Sequence, residues 1–297
     1  MKVGTILDLI RMGREIFLSP WKNHPISNEV ERLAALGAGH IEFTTDFLFS
    51  NLKAARAFES EKARLGSIAR ERELTYSFHL PTSGGFCTGS AWKQVRSGSV
   101  AWLREFVQSM APMEPTGYVM HPQALSDLFH IDLGPMQTGL LSARQVLFYF
   151  TRNVIIPNER EALAEIRTFV APEKIFLENS ENIDFYMLKD FALDSGYSVC
   201  MDVGHLLVDG QDLSKFANTF RPVLRHVHLH DVIDKAPANT PGQHRDHRPL
   251  GTGIADVPEI VRLLHSVEFD GAIVIEDYFQ DPADSIRYLV ERLRGRP

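Results

Sequence analysis

Cysteine is nearly absent. The 297 residues hold two, Cys87 and Cys200, too few for a disulfide framework. Cys200 lies in an apolar, strand-like stretch and reads as an inert buried thiol. No apolar run approaches the roughly 18–20 residues of a membrane-spanning helix. The N-terminus, Met1-Lys2-Val3-Gly4-Thr5, lacks the basic-then-apolar layout of a signal peptide and reads as a first core strand, so a cytoplasmic protein is expected. Positive charge is not in excess either: 31 Lys and Arg stand against 38 Asp and Glu, for a net charge of −7. The basic residues are scattered among acids, as between Glu61 and Glu73 and between Glu291 and Arg296. A grip on a nucleic-acid backbone calls for a basic stripe, so a small-molecule substrate is expected instead. There is no G-x-S-x-G, and neither cysteine has an evident base beside it, which leaves nucleophilic serine or cysteine catalysis unsupported. The segment after the first strand-like stretch, Gly4-Thr-Ile-Leu-Asp8, has no glycine-rich phosphate loop.

What the chain does have is alternation. Val3–Leu7 reads as a strand, Ile26–Leu36 as a helix closed by Gly37, and His40–Thr44 as a second strand. A helix over Lys53–Glu73 and a strand over Thr75–Leu80 follow, then a helix over Trp92–Met110 and a strand over Gly117–His121. Gln123 to about Pro157 is irregular apart from an apolar patch at Val146–Phe150, and a connection this long after a strand suits a lid. Asn158–Val170 reads as a helix capped by Asn158, Lys174–Asn179 as the fifth strand, and Asn182–Ser195 as a helix ended by Gly196. The sixth strand, around Val199, ends on the carboxylate of Asp202, and His205 follows three residues later, just past the turn. A helix over Asp212–Phe220, a strand over His226–His230, a helix over Asp256–Val267, a strand over Ala272–Glu276 and a helix over Asp281–Leu293 complete the chain. Eight strands alternating with about eight helices predict a single-domain (β/α)8 barrel over residues 1–297, since a doubly wound sheet would carry the missing phosphate loop.

In such a barrel the active face lies at the C-terminal ends of the strands. Those ends read Glu42, His79, His121, Glu178, Asp202, His228 and Glu276, and the two-residue period allows each to face the axis. Buried acids and imidazoles are costly unless paired or bound to metal. The mixture of His, Asp and Glu without Cys suits Zn²⁺, with Mn²⁺, Co²⁺ or Fe²⁺ also fitting. Glu42 is either a substrate contact or a carboxylate paired with a buried arginine or a turn. His226, His230, His24, His130 and His265 read as structural or exposed, and Asp231 as a cap for the loop after strand seven. The least structured segment, Lys235–Gly253, reads as an active-site loop.

The motifs L-E-N at Leu177–Asn179, M-D-V-G-H at Met201–His205, H-L-H-D at His228–Asp231 and I-E-D at Ile275–Asp277 resemble the xylose-isomerase-like TIM barrels. That superfamily includes apurinic endonucleases of family 2 and sugar phosphate isomerases and epimerases. Leu74–Pro81, Asp202–Leu207 and Asp246-His247 look most like the cobamide-remodelling phosphodiesterases. The resemblance to the endonucleases implies that His79, His121 and Glu178 hold one metal, and that Glu178 bridges to a second held with Asp202, His228 and Glu276. A third would use His205 with His247, or with Asp246, although here acid and histidine are adjacent rather than one residue apart.

Two reactions fit these residues. The first is a phosphodiesterase or phosphatase acting on a small phosphorylated metabolite, a cobamide among them, with Arg245 or Arg248 meeting a phosphate oxygen. The second is a sugar isomerase or epimerase with one divalent ion, Glu178 and Glu276 as acid and base, and His205 touching substrate. A non-catalytic ligand-binding barrel is the minor alternative. Of the three, the phosphoesterase is the expectation carried forward.

Overall fold

The computed structural model describes residues 1–7, 26–46, 52–82, 85–122, 149–180, 185–233, 246–278 and 280–294. Eight parallel strands close into a barrel in sequence order: β1 (Lys2–Leu7), β2 (His40–Thr44), β3 (Thr75–His79), β4 (Gly117–Met120), β5 (Ile175–Glu178), β6 (Ser198–Asp202), β7 (Leu224–Leu229) and β8 (Ala272–Ile275). β8 pairs back onto β1, with Gly4 opposite Val274. The connecting helices are α1 (Ile26–Ala35), α2 (Leu52–Arg72), α3 (Lys93–Met110), α4 (Ile156–Ile166), α5 (Lys189–Ser195), α6 (Val203–Val208), α7 (Leu213–Phe220), α8 (Val257–Ser266) and α9 (Ala283–Arg294). This is the (β/α)8 barrel that the alternation predicts.

The strands are buried on both faces, as parallel strands wrapped by helices must be. Outward residues pack under the helices: Phe43 of β2 meets Phe58 of α2 and Phe78 of β3 meets Phe106 of α3, each edge-on at 5.3 Å. Three helix starts are set by aspartates. Asp202, Asp212 and Asp256 each accept the backbone N–H three residues on, which satisfies a donor that the first turn leaves open. Gly196, at φ +81°, ends α5 in the left-handed conformation that glycine adopts freely.

Three local expectations change. α4 begins at Ile156, after a wide helical turn over Thr151–Ile155, so Asn158 lies inside the helix and its amide donates to Ser90 O. Ahead of α5, Phe185–Leu188 is a tighter 3₁₀ turn. Beyond β6, the turn expected between Asp202 and His205 is the first turn of a helix, α6, capped by Asp202. The lid expected over Gln123–Pro157 lies outside the described residues as far as 148, and is helical from Tyr149 onward. Among the described residues, no helix is long and apolar enough to cross a membrane.

Candidate metal centre

The register of the strands stacks the inward side chains into layers. Glu42 pairs in register with Ser77, and Thr44 with His79. β2 therefore runs one layer past Glu42, which lies below the rim and is fully buried. Around it, His40 Nδ1 is 2.8 Å from Thr75 Oγ1 and His40 Nε2 is 2.8 Å from Ser77 Oγ. Ser77 Oγ donates to Glu42 Oε2 at 2.6 Å, and the same oxygen meets His226 Nε2 at 2.9 Å. Glu42 Oε1 faces His228 Nε2 at 2.9 Å. Burial would raise the Glu42 carboxyl, but the charges of His228 and His226 outweigh it and hold the group well below the usual carboxylate range. Burial and the neighbouring His226 push His40 down to about 3, which keeps it neutral. Glu42 is thus enclosed beneath the rim. It is paired in the interior, with histidines rather than with an arginine or a turn.

The upper layer is different. His228 presents Nδ1 to three carboxylates: Glu178 Oε1 at 2.7 Å, Glu276 Oε1 at 3.3 Å and Asp202 Oδ2 at 4.0 Å. Ligand atoms of Glu178, Asp202, His228 and Glu276 all lie within 4.8 Å of one another. Among the described residues, Glu178 Oε2, Asp202 Oδ2 and Glu276 Oε1 are buried atoms without a hydrogen-bond partner. Leaving one such atom unpaired costs on the order of 1–3 kcal/mol, more when it is charged. A divalent cation would satisfy all three, so the donor set fits a hard or borderline ion such as Zn²⁺ or Mn²⁺. Burial would lower His228, yet the charges of Glu178, Glu276 and Glu42 hold it well above its ordinary value.

His79 and His121 flank the same carboxylate. Their Nε2 atoms are 3.3 Å and 2.8 Å from Glu178 Oε2. His79 Nδ1 is 3.0 Å from Leu80 O, to which it donates, so its Nε2 is the nitrogen turned to Glu178. Burial works against a charged His79, but the close carboxylate of Glu178 holds it up at about 9. His205 is buried beside Asp202, with its Nε2 3.7 Å from Asp202 Oδ2. His247 Nε2 is 3.7 Å from Glu276 Oε2 and its Nδ1 3.3 Å from Asp246 Oδ2. Burial lowers His247, and Asp246 and Glu276 more than offset it, to about 10.

All eight residues read from the sequence as metal candidates therefore converge at the strand ends: His79, His121, Glu178, Asp202, His205, His228, His247 and Glu276. Arg248 is joined to Asp231 by backbone hydrogen bonds in both directions, and its Nε is buried without a partner among the described residues. Arg245 lies outside the described residues.

Two participants were not singled out in the sequence. His230, read as structural or exposed, reaches the rim with Nε2 3.2 Å from Asp202 Oδ1. Tyr278 packs edge-on to His247 at 4.7 Å. The alternation His226-x-His228-x-His230 was the available signal for the first, since it puts all three on one strand face.

Comparison with known proteins decides the family. The family model described as "Xylose isomerase-like TIM barrel" matches residues 30–296. The chain belongs to the xylose isomerase-like TIM barrel family. No curated protein sequence matches it. Among solved structures, this xylose isomerase-like barrel is similar to a D-tagatose 3-epimerase-like protein, with 19% identity, a TM-score of 0.66, and 99% of this chain and 97% of that one covered. It is similar to the apo form of the 3-keto-D-glucoside 4-epimerase YcjR of E. coli, with 17% identity, a TM-score of 0.63 and full coverage of both chains. It is also similar to the probable 3-DHS dehydratase AsbF of Bacillus anthracis, with 14% identity, a TM-score of 0.63 and full coverage of both. At these identities the likeness is one of fold.

Proposed function

We propose that the protein is a divalent-metal-dependent isomerase or epimerase acting on a sugar or sugar-like small molecule, with residues 1–297 working as one barrel domain. The observation that carries the reading is the cluster of Glu178, Asp202, His228 and Glu276, which makes a complete four-residue donor set without His79 or His121. A divalent ion held there would supply polarisation of a carbonyl and its neighbouring hydroxyl. Moving a proton at the adjacent carbon needs a base on one side and an acid on the other. Glu178 and Glu276 take those roles, entering the cluster from β5 and from the end of β8, with β6 and β7 between them. His205, at the edge of the cluster, contacts substrate. The sugar epimerases among the structural neighbours add support, and they displace the phosphoesterase as the leading reading.

A second reading is kept because one observation favours it. His79 and His121 both turn Nε2 toward the same oxygen of Glu178. With that carboxylate they could hold a second ion, and paired ions supply hydroxide and charge stabilisation for hydrolysis of a small phosphoester. Arg248 would then meet the phosphate, and the motif likeness to the cobamide phosphodiesterases would point to the substrate.

One experiment separates the two. Protein purified without chelator is analysed for metal, then incubated with ketoses in D₂O and separately with bis(p-nitrophenyl) phosphate. The epimerase reading expects one ion per chain, deuterium entering next to the carbonyl, and an unchanged ion count in His121→Ala. Two ions, one of them lost in His121→Ala, together with turnover of the phosphodiester, would replace it with the hydrolase.

A further inference from the structure

The segment from Asp246 to Ala255, between β7 and α8, carries His247 to the site. With Pro249, Gly251 and Gly253 it reads as a pliable loop, yet every backbone N–H from His247 to Ala255 has a partner. His247 donates to His230 Nδ1 at 2.9 Å, Arg248 to Asp231 O at 3.0 Å and Leu250 to Ser285 Oγ at 3.0 Å. Thr252 donates to Pro249 O at 3.3 Å and Ile254 to Val232 O at 2.9 Å. The remaining three, from Gly251, Gly253 and Ala255, all go to the side chain of Asp231. We propose that Asp231 is a positioning residue, whose carboxylate fixes residues 246–255 as a rigid wall of the site and thereby sets His247 against Glu276. This role builds on the reading of Glu276 as a metal ligand, which both reactions share.

Asp231 is fully buried. Its Oδ1 accepts the N–H groups of Val232 and Ala255 at 2.8 and 2.9 Å, and its Oδ2 those of Gly251 and Gly253 at 2.9 and 2.8 Å. A carboxylate accepts about four such bonds, so both oxygens are filled by backbone. Glu178, Asp202 and Glu276, by contrast, each keep an unpartnered oxygen. Hydrogen bonds to a charged acceptor are the stronger kind, and these tie the loop's return to the exit of β7. The backbone pairing of Asp231 with Arg248, at 2.8 and 3.0 Å, fastens the other side of the loop.

Backbone geometry shows how closely the loop is held. At Gly253 an added Cβ would lie 2.1 Å from Val232 O and 2.4 Å from Asp231 Oδ1, so the strand exit and the loop meet through a residue without a side chain. His247 sits at φ +51°, a left-handed conformation uncommon for a residue with a Cβ and kept where the surroundings over-determine it. Its Nε2 is 3.7 Å from Glu276 Oε2, and its ring stacks on that of His230 at 4.1 Å. A segment tied at every N–H cannot swing as a lid without breaking several bonds at once. His247 is therefore in place at Glu276 before a ligand arrives.

Hydrogen exchange of the full-length, metal-free protein, read by mass spectrometry on peptides, tests this. In wild type the peptide over residues 248–255 should exchange at least about 100-fold more slowly than an unstructured chain. Asp231→Asn puts an amide donor opposite two of the four N–H groups, and should speed exchange over 248–255 by about 10–100-fold while the β5 peptide keeps its rate. Gly253→Ala crowds the same carboxylate without changing its charge, should act in the same direction, and decides the matter if Asp231→Asn does not fold. A fast-exchanging loop in wild type, or an unchanged loop in the folded variants, would overturn the proposal. Equal loss of protection in β5 and in the loop of Gly253→Ala would make Asp231 a support of the whole barrel and overturn it too. Zinc affinity supplies a readout that a merely structural role would not move. His247→Ala and Asp231→Asn should each weaken binding about tenfold through Glu276, and the double variant no further than either alone. Additive losses would break the link between Asp231 and His247. Wild-type protein that takes up no zinc would sink the metal reading of Glu276, while the exchange rates would still decide whether Asp231 holds the loop.

Discussion

Two polar layers share the lumen of this barrel and are built from the same residue types. In the lower one, His40, Ser77, His226 and His228 surround a single carboxylate, and each oxygen of Glu42 faces an imidazole nitrogen at 2.9 Å. In the upper one, three carboxylates crowd one face of His228 and keep buried oxygens without partners. The difference lies in balance: one carboxylate sits among three histidines below, whereas three carboxylates face one imidazole nitrogen above, and buried oxygens without a hydrogen-bond partner occur in both layers, Glu42 Oε1 included. Where carboxylates outnumber the donors around them, the place is marked for a cation or a substrate. His228 belongs to both layers, with Nε2 turned to Glu42 and Nδ1 to the site, so the lower layer orients the upper one.

The largest expected effect of breaking this contrast is in the upper layer. Glu178→Gln removes a ligand and a proton-transferring group together, and should cost about 10²–10⁴-fold in turnover under either reaction. Metal content should fall with it, read by elemental analysis on the same preparation. Glu42→Gln tests the coupling between the layers. Losing the carboxylate behind His228 Nε2 should weaken metal binding by about 10–100-fold, measured by competition with a chelating dye, while the number of ions per chain stays the same.

Glu159 sharpens the comparison, because it is a buried carboxylate in neither layer. Its neighbour is the Thr88 hydroxyl, at 2.8 and 3.0 Å from its two oxygens, and burial lifts its carboxyl to about 7 despite that bond. With no cation to match it, this group takes up a proton instead. The folded state holds that proton more tightly than the unfolded chain does. The stabilisation is therefore full below about pH 4.5 and is lost as pH rises through 7. Glu159→Gln should flatten this dependence and exceed the wild type at pH 8 by up to about 3 kcal/mol in urea unfolding. An unchanged pH profile would remove Glu159 from the account. The smallest effect is expected from the lower layer alone: His40→Ala should destabilise by about 1–3 kcal/mol through the abandoned hydroxyls of Thr75 and Ser77, with metal affinity kept within about threefold.

The barrel and most of the candidate site were legible in the sequence because both depend on local period. A two-residue alternation sets which face of a strand a residue occupies, and the strand ends follow from where apolar runs stop. Depth was not legible. Glu42 looked like the end of β2, but Phe43 and Thr44 carry the strand another layer, and only the pairing of Thr44 with His79 reveals that Glu42 lies beneath the rim. His230 was missed for a related reason. Its ring meets a backbone N–H seventeen residues later, in a loop whose course is dictated by Asp231 rather than by any periodic pattern. The expectation of hydrolysis weighed His79 and His121 by type, and the four-residue cluster beside them is complete without either.

The central claim is that Glu178, Asp202, His228 and Glu276 hold a divalent ion, and calorimetric titration of metal-stripped protein tests it most directly. Zn²⁺ or Mn²⁺ should bind with at least one equivalent per chain and raise the melting temperature. Glu178→Gln and Asp202→Asn should each weaken that binding severely while remaining folded. Wild-type protein that binds neither ion, or variants that bind as tightly as wild type, would contradict the account.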